Sequence, residues 1–249
     1  MARGPAEMAA SPGATSRWSD LRLRVASAVV LLPVALVCLF AGGWLWGGFV
    51  LASAAALLWE WWRMWRLKPG GMPAASLLAG WLYMLVGAGA LYWLRGDPAG
   101  GPAVGLVGVL FLLVVVWASD IGAYLFGRLI GGKKLAPAIS PGKTWSGAVG
   151  GWVCAMAFGL LVSQFAAPGP VLTALPVLTA LVVAFALSVA SQLGDLLESA
   201  LKRHFGVKDS SRLIPGHGGV FDRLDGVLAA APIAALLALA RGPGVEWWR

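Results

Sequence analysis

"VLTALPVLTALVVAFALSVASQLGDLLESALKR", residues 171–203, changes character once along its length. As far as Leu193 it is apolar, and a helix of ~20 such residues crosses a bilayer. Polar groups mark its end at helical spacing: Ser191, Asp195, Glu198 and Lys202 stand at i, i+4, i+7 and i+11, so on a helix they share one stripe. This reads as a membrane span whose end carries an organised row of charge.

The rest of the chain repeats the first half of that pattern. It is 59% hydrophobic and 12% charged, against about 25% charged in soluble domains. Further apolar runs cover residues 25–43, 44–62, 75–94, 101–119, 147–166 and 226–240. The expected fold class is an all-α polytopic membrane protein with about seven transmembrane helices, in a range of seven to nine. Residues 1–18 are expected as a disordered tail. Residues 19–249 are expected as one integral-membrane domain, with N-terminal spans over 25–94 and a catalytic region over 101–240. The first run is long, is interrupted by Pro33 and is closed by no clear small-x-small cleavage site, so it reads as an uncleaved span.

A cytoplasmic N-terminus leaves only Arg95, Arg241 and Arg249 of the 19 cations on the outer face, a strong positive-inside bias. The net charge of +8 is therefore an orientation signal with an attraction for anionic headgroups, and nucleic acid is excluded as a partner. Cys38 and Cys154 fall within spans and read as small packing residues. Zinc is not expected, because His204 and His217 read as loop residues away from them.

The acids decide the chemistry. Asp120, Asp195, Glu198, Asp222 and Asp225 all map to the same face, at span boundaries. A carboxylate at a helix centre costs ~2.5–3.5 kcal/mol on insertion scales, so convergence of five implies function. Residues 199–226 also hold both histidines and five of the 19 cations. Asp222 and Asp225 stand at i, i+3 and share a helix face. Grouped carboxylates suit Mg²⁺, which takes one or two of them together with substrate phosphates. Lys202, Arg203, Lys208 and Arg212 can neutralise phosphate oxygens. The chemistry so assembled is phosphoryl or nucleotidyl transfer at a membrane surface. Residues 117–147 add a basic, Gly/Pro-punctuated loop with Lys133, Lys134 and Lys143. Its "SPGKTW" is no Walker A motif, since Pro137 stands where the first glycine is required.

Residues 199–225 resemble the signature of the phosphatidate cytidylyltransferases, or CDP-diacylglycerol synthases. The matching positions are Ser199, Lys202, Arg203, Lys208, Asp209, Ser211, Pro215, His217, Gly218, Gly219, Asp222, Arg223 and Asp225. "WASDIGAYLFGR", "ISPGKTWSG", "SQLGDLLES" and "LWEWWR" are similar to that family too; Ile121, Ser146 and Gly226 depart from it. The resemblance implies transfer of a cytidylyl group from CTP to phosphatidate, with loss of pyrophosphate, at the cytoplasmic side of a bacterial inner membrane. It implies Mg²⁺, in some members a monovalent cation such as K⁺, and a homodimer. The expected metal ligands are Asp195, Asp222 and Asp225. Lys202, Arg203, Lys208, Arg223, Lys143 and Asp120 are expected to bind substrate. His217 reads either as a packed loop residue or as a donor to the leaving pyrophosphate. Two alternatives stay open: a related cytidylyltransferase or kinase acting on another membrane lipid, and a transporter. A transporter predicts ionisable groups near the midplane of several spans, and here Glu60 near a span end is the one partial exception.

Overall fold

The computed structural model describes residues 14–68, 71–96, 102–165, 174–241 and 246–248. Among them the chain forms seven helices: α1 Ala14–Ala41, α2 Gly43–Arg66, α3 Ala74–Gly96, α4 Pro102–Leu129, α5 Trp145–Phe165, α6 Ala174–Phe205 and α7 Phe221–Arg241. All but α2 are long and apolar enough to cross a membrane, which makes six candidate spans. The expected second span is present as a helix. Its tryptophans, together with Glu60, Arg63 and Arg66 near its end, lower its mean hydropathy. The protein is an all-α membrane protein. Helix α1 begins at Ala14, inside the expected tail, and residues 1–13 lie outside the described residues.

The basic loop expected between the fourth and fifth apolar runs is ordered into a small antiparallel sheet, β1 Lys134–Ala136 with β2 Ser140–Thr144. Lys134 pairs with Thr144 and Ala136 with Ser140. Trp145 N–H donates to Lys133 O (3.0 Å) as α5 starts. The sequence conceals this sheet, because β1 is three residues long and β2 contains Pro141 and Gly142.

Packing centres on α4, where Val109, Phe111, Leu112 and Val115 have no solvent exposure. Small residues let its neighbour α5 approach to backbone distance: a Cβ on Gly122 would stand 2.8 Å from Cys154 Sγ. Cys154 thus acts as the packing residue expected, and both cysteines are free thiols. Helix α7 lies against α6 and α3, with Gly194 facing the Asp225 carbonyl and Gly87 facing Leu228.

Arg95, 6% exposed, sits at the end where α1 and α3 finish. Its Nε donates to Leu39 O at 2.7 Å and a terminal nitrogen to Phe40 O at 3.3 Å. These are orphan carbonyls of the last turn of α1, where a cation is favourable. Nearby, Trp247 and Trp248 pack on Phe111 of α4, with ring centroids 5.6 and 6.2 Å away. At the opposite end the C-terminal halves of α2, α4 and α6 meet the start of α7 and the hairpin.

Candidate active site

Helix α6 runs on to Phe205 and so carries Asp195, Glu198 and Lys202 on continuous helix. The expected stripe forms: Lys202 Nζ lies 2.6 Å from Glu198 Oε1, one turn away. The helix stops in a Schellman motif, with Gly206 N–H on Arg203 O (3.2 Å) and Val207 N–H on Lys202 O (2.9 Å). Gly206 has φ +69°, a left-handed conformation that glycine adopts without strain.

Beyond that turn the chain folds back to start α7 beside α6. Lys202 Nζ also lies 2.8 Å from Asp222 Oδ1, so one ammonium joins the two helices. On the other side Lys143 of β2 reaches Asp195 Oδ2 at 2.6 Å. Asp195, Glu198 and Asp225 bring one carboxylate oxygen each within 4.8 Å of one another. Two lysines are thus threaded among four carboxylates. An all-oxygen anionic set of this kind fits Mg²⁺, which a thiol- or imidazole-rich set would not.

Two of the three expected metal ligands, Asp195 and Asp225, are in that group; the third member is Glu198, not Asp222. Asp222 is occupied with holding the fold. Its Oδ2 accepts from Gly219 N–H (2.7 Å) and Ser210 N–H (3.0 Å) and lies 3.0 Å from Ser210 Oγ, whose one proton Glu60 also faces, while Oδ1 faces Lys202. The i, i+3 spacing puts Asp222 and Asp225 on one face. It does not reveal that the loop ahead of α7 turns the amides of Ser210 and Gly219 onto the former.

A cavity of about 600 Å³ opens beside the group, walled by α4, the hairpin, α5 and α6; Asp120, Tyr124, Arg128, Lys143, Gln192 and Asp195 line it. Asp120 and Lys143, both expected to meet substrate, are therefore at the cavity. Arg128, which the sequence reading passed over, joins them and donates to Tyr124 Oη at 2.8 Å. Gln192 is held by donation to Ser119 Oγ (3.2 Å) and Ala148 O (3.1 Å).

The remaining expected residues lie apart from the cavity. Arg203 donates to Ile139 O (3.4 Å) and ties α6 to the hairpin turn. Lys208 is exposed. Arg223 donates twice to His217 O, at 3.1 and 2.9 Å. His217 Nδ1 lies 2.7 Å from Ser27 Oγ of α1. Partial burial, then the Arg223 and Arg24 cations, hold the His217 imidazole below its ordinary pKa, so it is neutral at pH 7.

Glu60 was passed over as a span-end charge. It is fully buried on α2, and its carboxylate accepts from Ser211 Oγ, Ser210 Oγ (3.1 Å) and the N–H groups of Val220 and Phe221, both at 2.8 Å. The available signal was a lone glutamate within the apolar "ALLWEWW".

Comparison with known proteins follows the same segments. A family model described as the cytidylyltransferase family matches residues 22–100 and 99–240. A phosphatidate cytidylyltransferase of Brucella suis biovar 1 (strain 1330) is 48% identical over 194 residues, covering 76% of this chain and 63% of that protein. One from Staphylococcus saprophyticus is 43% identical over 166 residues, covering 67% of this chain and 59% of the relative. The matched region thus spans a little under two thirds of these curated relatives.

Proposed function

The chain belongs to the cytidylyltransferase family, and from that premise we propose that it transfers a cytidylyl group from CTP to phosphatidate, giving CDP-diacylglycerol and pyrophosphate. The observation that carries this reading is the Asp195, Glu198 and Asp225 group beside Lys143 on a cavity at one end of a membrane bundle. One substrate is a soluble polyanion and the other is anchored in the leaflet, so a site at the end of the spans can meet both. The relatives carry the name of this activity.

In this reaction a phosphatidate phosphate oxygen bonds to the α-phosphorus of CTP, and the bond to the bridging oxygen of pyrophosphate breaks. The attacking phosphate is already largely ionised at neutral pH, so no protein base is required. The work left to the chain is orientation and charge neutralisation. Asp195, Glu198 and Asp225 would hold Mg²⁺, which supplies positive charge to phosphate oxygens when bound. Lys143 and Arg128 face the cavity and offer ammonium and guanidinium groups to the triphosphate. Lys202 holds Glu198 and Asp222 in place and keeps like charges on α6 and α7 together. Ionisable groups at the ends of the spans, with apolar residues between, favour this reading over a transporter.

The test is incubation of purified protein in detergent with radiolabelled CTP, phosphatidate and Mg²⁺. A lipid-extractable cytidine product that depends on all three is expected, and its absence overturns the assignment. We also propose a plasma-membrane location with the site facing the cytoplasm. Cysteines at Lys133 and Lys208 should then label from the cytoplasmic side, and one at Asp97 from the outside.

A further inference from the structure

We infer that Glu60, on a helix outside the carboxylate group, is a positioning residue that sets where the acids of α7 stand relative to those of α6. The inference rests on the proposed site and concerns how it is held.

Four donors converge on the Glu60 carboxylate, two to each oxygen. Ser211 Oγ and Val220 N–H donate to Oε1, while Ser210 Oγ and Phe221 N–H donate to Oε2. The two amides belong to the start of α7, where helix N–H groups have no partner within the helix and the dipole favours a negative charge. The apolar tail of α2 thus supplies the anion that caps α7. The loop is shaped to admit it: a Cβ on Gly219 would collide with Glu60 Oε1 and Ser210 Oγ.

From Glu60 the contacts run into the site. Ser210 meets Glu60 through its hydroxyl and holds Asp222 Oδ2 through its N–H, at 3.0 Å. Asp222 Oδ1 holds Lys202, and Lys202 holds Glu198. Asp225 lies one helical turn beyond Asp222 on the helix whose start Glu60 fixes. Rotation or sliding of that start moves Asp225 away from Asp195 and Glu198, so the spacing of the group depends on α2. Arg63, one turn after Glu60, donates to Ser210 O at 3.0 Å and adds a second tie to the same loop.

Glu60→Gln keeps the shape and turns one acceptor oxygen into an NH₂ that must face a donor. Wild-type and variant protein are reconstituted in nanodiscs. Mn²⁺ binding is measured by electron paramagnetic resonance without substrate, and Mg²⁺ half-saturation and CTP KM by the lipid-product assay. We expect Mn²⁺ affinity to fall and Mg²⁺ half-saturation to rise by about tenfold to a hundredfold, the range for residues that orient metal ligands. CTP KM should move far less. Glu60→Asp, which keeps the charge one methylene short, should restore part of the loss, and Ser211→Ala should shift both metal readouts in the same direction by less. Folded Glu60→Gln protein with wild-type Mn²⁺ affinity, whatever its Tm, overturns the inference. If that variant does not insert, unchanged Mn²⁺ affinity in Ser211→Ala does so instead. Wild-type protein that binds Mn²⁺ yet makes no cytidine lipid overturns the proposed function alone and leaves the comparison of variants readable.

Discussion

The two ends of this bundle both bury charge at helix termini, and they use it differently. At the end where α1 and α3 finish, Arg95 is directed onto the carbonyls of Leu39 and Phe40. Its charge completes a helix. At the other end Lys143 and Lys202 are set among four carboxylates, three of them close enough to share an ion, beside an open cavity. Burial alone does not separate the two ends. The distinction is an excess of one sign of charge gathered where a substrate can enter.

That contrast can be broken most directly at Asp195. Asp195→Asn keeps size and removes a charge from the cavity side of the group. Turnover should fall by at least about 10²–10³-fold, the scale for removing one group that stabilises transition-state charge, with thermal stability close to wild type. A folded variant with wild-type activity would place the chemistry elsewhere. Asp222→Asn should differ in kind, losing activity together with stability. Its carboxylate holds two backbone amides and Lys202, and bonds to charged groups contribute ~1.5–3 kcal/mol each. Thermal unfolding in detergent checks this, and an unchanged Tm would show that Asp222 does not hold the fold.

Arg95→Met tests the other end. Leaving the α1 carbonyls unsatisfied should cost ~1–3 kcal/mol, while kcat and KM of the folded fraction stay near wild type. A specific loss of turnover would show that the two ends are coupled. The smallest effect is expected from pH. His217 is held below its ordinary value, so between the folded and unfolded pKa values the unfolded chain binds more protons. Its contribution is therefore present above the unfolded value of about 6.5 and is lost as pH falls through the folded one. Hydrogen exchange of the Ile214 and His217 amides should quicken slightly in that window, and His217→Gln should abolish the difference.

The membrane class was legible because ~20 apolar residues in a row have few other uses. Six of the seven expected runs are long, apolar helices, and the seventh is a helix too. The stripe of Asp195, Glu198 and Lys202 was legible because helical spacing alone puts those side chains together. The motif of residues 199–225 pointed to the family, and the family model bears that out. The sequence could not say which carboxylates meet, since that depends on how α7 enters beside α6. The first turn of α7 offers amides that nothing within the helix can satisfy. Glu60 takes those amides and Asp222 takes the amides of Ser210 and Gly219 in the loop before them, which leaves Glu198 to complete the group. The hairpin that delivers Lys143 escaped for a related reason: its two short strands are stable only because α4, α5 and α6 form the ground on which they pair. Local spacing decides what one helix presents, and unsatisfied backbone groups at helix ends decide which side chains remain for chemistry.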